Sequence, residues 1–511
     1  MPVLKPESRK SVLWACIWAA VGVAITWQLW GIIFTTSPRM SVWGIFGDEA
    51  VVTQAAVRVT NGQLPHRDFY SYTIGSAYYP LAVWMKVIGQ DYANVRWYNL
   101  ITALALVAVI IWLGSLFSRW SGVTAGLFFA FFAFPIWPFV SYHWQFLFFA
   151  VLGTCFLVMK PTTSRLTLAG LALVGAGLTL PNKALFLGLA QILFITITVQ
   201  RGRRCRSIAL LLSGSIFIGG VAIAFLYSNN LLGTVWNQLV TNNVTFYPTL
   251  VHKSIFGFNS NSYVMVLISG ILCLPLLVKS WLRDEWHRAY MLLALSQLVL
   301  VVAILYQSTW EHFIQISAIF LVLLSVIVFD RLWHSWRMLR LGNPEKFLHS
   351  LLVLFLFSGV GIWFFPKLFS LAPLKYQVPF ETPRGRIYVA SLQPAPGSMT
   401  SHIQIIDRLL RTTLAGRRVF FFPYMPGYYY FYNVTNPTAY DILPSAQPPQ
   451  GDVEKLKREL LENADALVYI NSWPDFAMDS ALMDWMREKF PVVTVLSYGR
   501  IQVYEKTLNA K

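Results

Sequence analysis

Up to about residue 366 the chain alternates between long apolar runs and short polar links. Runs of about 17 to 25 apolar residues match the thickness of a bilayer's hydrocarbon core. The pattern predicts transmembrane helices at 11–34, 94–117, 121–137, 142–159, 166–181, 183–200, 207–228, 262–279, 289–306, 312–330 and 347–366, eleven in all. The apolar stretch 76–90 is too short to span and is interrupted by Lys86, so it reads as a helix lying in the interface. Between the first two spans, Val51, Val52, Ala55 and Val59 recur at helical spacing from Asp48 to Thr60, and Asn61-Gly62 ends the pattern. This predicts a short helix along the membrane with Asp48 and Glu49 in its first turn, where the helix dipole favours negative charge. Beyond Pro366 the periodicity changes. Short strand-like segments at 386–390, 418–422, 466–471, 492–497 and 501–505 are separated by helical patterns at 400–414, 452–463 and 476–489. They predict a small α/β domain, roughly doubly wound, outside the membrane.

The expected fold class is therefore a polytopic α-helical membrane protein with a C-terminal extracytoplasmic α/β domain. The division falls into a transmembrane part, 1–366, and the α/β domain, 367–511. Composition supports this: 56% of residues are hydrophobic and only 12% charged, against about 25% charged in soluble proteins. The net charge of +17 would suggest nucleic acid in a soluble chain. Here the basic residues fall mainly in short loops, with 17 on one side of the bundle and seven on the other. That asymmetry puts the N-terminus in the cytoplasm, and an odd number of spans puts the tail outside. No basic, aromatic-rich surface of the nucleic-acid type is present. Cys16, Cys155, Cys205 and Cys273 show neither disulfide nor metal-ligand spacing. The first apolar run lacks a small-residue cleavage site and reads as a retained helix.

The same topology isolates the candidate chemistry. Of ten carboxylates before residue 367, five face outward: Asp48, Glu49, Asp68, Asp91 and Glu311. Four of them lie in the external loop 35–93, which is long for a connection and so a candidate for function. Glycosyl transfer to a hydroxyl needs a carboxylate to take the proton as oxygen attacks the anomeric carbon. With a polyprenyl-phosphate sugar as donor the leaving group is already an anion, so cations or hydrogen bonds to phosphate replace a general acid. Asp48 and Glu49 fit the first need, or else simply cap their helix. Arg67 can hold phosphate or orient Asp68, with Tyr70 and Tyr72 stacking on sugar rings; an ion pair that folds the loop is the alternative. Lys183 stands at an external helix boundary, as a phosphate contact or a snorkelling lysine. Glu311 and His312 enter a span, as lining of a polar cavity or as an interfacial anchor. The aromatic run Tyr428-Tyr429-Tyr430 fits a sugar cleft or a core. The loop 229–261 is rich in Asn, Thr, Tyr and Phe, as a carbohydrate-facing surface would be.

Gly47-Asp48-Glu49, then Leu64-Pro65-His66-Arg67-Asp68-Phe69-Tyr70 with Tyr78-Tyr79, and Glu311-His312-Phe313 resemble motifs of the GT-C class of membrane glycosyltransferases. The specific likeness is to the protein-mannosyltransferase and lipid A aminoarabinose-transferase-like superfamily. Pro423 to Tyr430 and Asn436 to Asp441 are similar to the outer domain of a bacterial branch. Ser71 to Gly75 departs from the Pro-Gly-rich step expected before the paired tyrosines. The resemblance implies Asp48 as catalytic base and Glu49 as its partner, with Arg58, Arg67, Lys183 and His312 toward the donor phosphate. It implies an inverting hexosyl- or pentosyltransferase of cell-envelope glycan synthesis, in the bacterial inner membrane. The donor would be a polyprenyl-phosphate-linked sugar and the acceptor a glycan, lipid or protein hydroxyl. No cofactor is required by that mechanism, although oligosaccharide-transferring relatives with diphosphate donors use a divalent metal. A transporter or flippase for a lipid-linked glycan is the alternative that the spans alone would equally fit.

Overall fold

The structure, a computed structural model, describes residues 6–34, 47–159 apart from 72, 161–241, 284–304, 376–391, 399–443 apart from 424, 452–470, 480–496 and 501–506, with short pieces between 266 and 327. Five described helices are long and apolar enough to cross a bilayer: Trp14–Phe34, Tyr92–Ser115, Pro181–Thr198, Arg201–Ser228 and His287–Ile304. The chain is a multi-pass membrane protein, since in lipid only closed hydrogen-bond systems such as these helices satisfy the backbone.

In chain order the membrane part contains α1 (Pro6–Phe34), α2 (Asp48–Thr60), α3 (Tyr79–Ile88), α4 (Tyr92–Ser115), α5 (Arg119–Phe128), α6 (Tyr142–Val158), α7 (Thr163–Gly177), α8 (Pro181–Thr198), α9 (Arg204–Ser228) and α10 (Asp284–Ile304). Helix α2 has the expected bounds; Asn61 caps it and Gly62 follows with φ 85°. The interfacial candidate is a 3-10 turn, Gly75–Tyr78, leading into α3. The span expected at 121–137 is not one regular helix. It is α5 followed by a π turn, Phe129–Ala133, and a 3-10 turn, Phe134–Ile136. Pro135 lacks the N–H for the regular ladder and its ring crowds the preceding turn, which accounts for the break. The expected spans 262–279 and 312–330 lie partly, and 347–366 wholly, outside the described residues.

Small residues set how closely the helices approach. A Cβ on Gly170 of α7 would lie 2.1 Å from the Leu211 carbonyl oxygen of α9, whereas one on Gly220 would meet nothing within 4 Å. Gly170→Ala must therefore push two backbones apart, and we expect it to cost about 1–3 kcal/mol. Thermal unfolding of the detergent-solubilised protein checks this, with Gly220→Ala as the control that loses nothing.

The C-terminal part holds two sheets. A hairpin pairs β1 (Tyr376–Thr382) with β2 (Gly385–Ser391). A four-stranded sheet runs in the order β3-β4-β6-β5, comprising β3 (Val419–Phe422), β4 (Ala466–Ile470), β5 (Val492–Leu496) and β6 (Ile501–Glu505). Its helices are α11 (Met399–Arg411), α12 (Pro426–Phe431), α13 (Val453–Asn463) and α14 (Ser480–Lys489). The doubly wound expectation needs correction: only β3 and β4 are parallel, while β6 is antiparallel to both its neighbours. The helix-containing stretch between β3 and β4 permits a parallel crossover, but the few residues between β5 and β6 permit only an antiparallel return.

Strand β3 is buried on both faces. Phe420 and Phe422 pack with Leu456, Leu460 and Met486, while Phe421 packs with Tyr428, Tyr429 and Tyr430. The period of two along the strand separates these layers. Tyr429 accepts the Phe421 backbone N–H through its hydroxyl at 2.7 Å. The aromatic run is thus part of the core.

Candidate active site

Helix α2 begins at Asp48, with Gly47 as its extended N-cap. One residue on, Glu49 turns inward and is 1% exposed. Its Oε2 accepts from the Tyr92 hydroxyl at 3.2 Å and from Arg96 Nη2 at 3.2 Å, both on α4. Burial pushes the Glu49 carboxyl above the usual carboxylate range, opposed by the Arg96 charge and by the Val140 backbone. Glu49 thereby fixes the start of α2 against the first turn of α4. Glu49→Gln would leave the Arg96 charge buried without its counter-ion, a loss of about 3–5 kcal/mol for a broken buried pair. The measurement is the unfolding midpoint of the purified variant; an unchanged midpoint would remove the anchoring role.

Further along α2, Arg58 faces the C-terminal domain instead of an open groove. Its Nε is 2.9 Å from Asp441 Oδ2, and its Nη2 donates to Asp441 Oδ1 at 3.0 Å and to the Thr438 carbonyl at 2.7 Å. Asn436 adds a bond to Asp441 at 2.8 Å. Both ionic side chains are nearly enclosed, at 6% and 7% exposure. A donor phosphate at Arg58 would have to displace Asp441.

The loop after α2 is tied in the same direction. Tyr70 donates its backbone N–H to the Ala439 carbonyl at 2.8 Å and stacks its ring on Tyr440. The Asp68 carboxylate accepts the Leu64 N–H at 2.7 Å, closing a tight turn, and pairs with Arg67 at 2.8 Å. The Arg67 hydrogen bond leads in holding Asp68 below the usual carboxylate range. That pair is solvent-exposed, so of these arginines Arg67 can turn to another anion at least cost. A second tie joins α4 to the outer domain. Arg384 accepts the Tyr92 N–H on its carbonyl at 2.8 Å and donates to Asn433 at 2.7 Å, and the Tyr430 hydroxyl donates to the Gln90 carbonyl at 2.8 Å.

Lys183 sits in the first turn of α8 and is 1% exposed, enclosed in the bundle and not extended to its rim. A lysine there works against both burial and the helix dipole. The Ser76 hydroxyl donates to the Leu178 carbonyl, which brings the turn 75–78 beside the step that carries Lys183. Tyr72, Glu311 and His312 lie outside the described residues.

The structure thus joins Glu49, Arg58, Asp68 and Tyr70 to one framework around α2. Sequence reasoning missed Arg96, Tyr92 and Asp441 as its counterparts. Arg96 carried a signal, a cation two residues inside an apolar span. Asp441 closes the segment likened to an outer domain, but nothing in the sequence pairs it with Arg58, 383 positions away. Among the described residues no three His, Cys, Asp or Glu side chains converge as a metal site would.

No family model matches the sequence, and no curated protein matches it. Solved structures do. ArnT from Cupriavidus metallidurans bound to undecaprenyl phosphate matches over 96% of this chain and 98% of that one, with a TM-score of 0.55 and 12% identity. The apo state of the same protein matches over the same shares, with a TM-score of 0.52 and 13% identity. ArnT is a lipid A aminoarabinose transferase of the GT-C class. The resemblance read from the short motifs is therefore borne out as a likeness of fold across nearly the whole chain.

Proposed function

We propose that the chain is an inverting glycosyltransferase that uses a polyprenyl-phosphate-linked sugar and works at the outer face of the bacterial inner membrane. The observation that carries this reading is the full-length likeness to ArnT, whose structure holds undecaprenyl phosphate, together with Asp48 at the start of a helix anchored through Glu49.

In this reading the acceptor hydroxyl oxygen attacks the anomeric carbon and forms the new glycosidic bond. The bond from that carbon to the phosphate oxygen breaks, and its electron pair leaves with polyprenyl phosphate. Asp48 takes the hydroxyl proton and passes it to water. Glu49 holds the base's helix in place through Arg96 and Tyr92. Arg67 and Lys183 stabilise the phosphate, with His312 as a further candidate. Arg58 acts at one remove by clamping α2 under the outer domain. The N-terminus lies in the cytoplasm and the α/β domain covers the site from outside, with the acceptor entering beneath it.

The test is to incubate the purified full chain with polyprenyl-phosphate sugars labelled in the sugar and follow both halves of the donor. Free polyprenyl phosphate should appear in step with transfer of label to a hydroxyl. Passage of intact donor across liposomes without its cleavage would support the transporter reading instead.

A further inference from the structure

A cavity of about 290 Å³ lies where three parts of the chain meet: the loop 66–70, the segment 229–238 after α9, and the outer domain. Its lining includes His66, Asn230, Gln238, Tyr440, Asp452 and Lys455. Ligand pockets run from about 300 Å³ upward, so the space suits one small ring and not a long chain.

The hydrogen bonds fix what one residue of the lining, His66, can accept. Gln238 Oε1 lies 3.3 Å from the Ser71 backbone nitrogen, which can only donate, so this atom is the amide's acceptor oxygen. The same Oε1 is 2.7 Å from His66 Nδ1, so that nitrogen must carry the proton. In the neutral ring Nε2 is then left with a lone pair. His66 is 7% exposed, and Nε2 is buried with no hydrogen-bond partner. A buried acceptor of this kind calls for an O–H or N–H donor. An unprotonated phosphate has none to give and would be repelled by the lone pair.

The rest of the lining agrees with a neutral, hydroxyl-rich guest. Asp452 and Lys455 offset one another, and Arg67 stands half-exposed at the rim, paired with Asp68 until a phosphate takes it over. The Tyr70–Tyr440 stack gives an aromatic wall, and Asn229, Asn230 and Gln238 give amides. His66 and Asn230, with φ of 67° and 55°, are two of the three described non-glycine residues in the left-handed region. Such conformations persist where the surroundings impose them, and they gather at ligand sites.

We infer that this cavity is a subsite for a neutral sugar unit of the acceptor, its hydroxyl donating to His66 Nε2. The inference rests on the transferase reading for the word acceptor, but its binding test needs no turnover. Saturation-transfer NMR on the full chain in lipid nanodiscs, with methyl hexosides and methyl pentosides as probes, reads it directly. At least one methyl glycoside should receive saturation. Thr234→Trp, which fills the cavity from an accessible wall, should abolish the signal. His66→Phe, which keeps a flat ring but removes the Nε2 lone pair together with the Nδ1–H that donates to Gln238, should weaken binding at least about tenfold, the worth of one buried hydrogen bond. Adding polyprenyl-phosphate sugar should leave the signal in place. Displacement by the donor would make this the donor-sugar site and overturn the assignment, as would glycoside binding that survives Thr234→Trp. Absence of glycoside binding would overturn the subsite even in a protein that transfers sugar. Glycoside binding in a protein that cleaves no donor would keep the subsite and overturn the transferase reading.

Discussion

Asp48→Asn is expected to lower sugar transfer by about 10²–10⁴-fold, the range a positioned general base contributes. The amide is almost isosteric with the carboxylate but cannot accept the hydroxyl proton. Folding should be nearly unaffected. Asp48 is the first residue of α2, where a carboxylate adds about 0.3–1 kcal/mol through the helix dipole. Attachment of the helix rests on Glu49, Arg58 and the apolar face of Val52, Ala55 and Ala56, all buried. The measurement is release of polyprenyl phosphate per mole of protein, with the unfolding midpoint taken on the same sample. Full activity at an unchanged midpoint would remove Asp48 from the base role; a collapsed midpoint would make it structural.

The second large effect is expected at Arg58 and Asp441. Removing one member of a buried, hydrogen-bonded pair leaves the other charge uncompensated, a loss of about 3–5 kcal/mol. Asp441→Leu should therefore lower the unfolding midpoint sharply and reduce transfer, because the outer domain no longer holds α2 through its Arg58. Replacing both residues with apolar ones, Arg58→Met with Asp441→Leu, should restore much of the stability. A buried ion pair often stabilises no more than a well-packed apolar pair of similar volume. If the single variants matched wild type, the clamp would be a crossing of surfaces with no energetic coupling.

The parts of this fold legible in the sequence are those with a local period. The apolar runs marked the five described spans, and the spacing of Val51, Val52, Ala55 and Val59 marked α2, closed by Asn61-Gly62 where the structure closes it. The strands of the tail were likewise visible apart from β1, but not their directions, which depend on the connections between them. Pro135 was the one local sign that a predicted span would be irregular. The candidate site was legible only on one side. Asp48, Glu49 and Arg67-Asp68 stand close together in the chain, whereas their structural partners do not. The Arg58–Asp441 and His66–Gln238 contacts join residues 383 and 172 positions apart, and no spacing rule reaches across such distances. Glu49 shows the limit well: adjacent to Asp48 in sequence, it is drawn to Arg96 and Tyr92 in the fold.

A structure of the full chain with an uncleaved polyprenyl-phosphate sugar bound would show whether Asp48 faces the donor. The expected complex has the anomeric carbon opposite Asp48, the isoprenoid in a groove of the bundle, and the phosphate within reach of Lys183 or Arg67. A donor seated away from α2, or an Asp48 carboxylate turned into lipid with no path to the sugar, would contradict it.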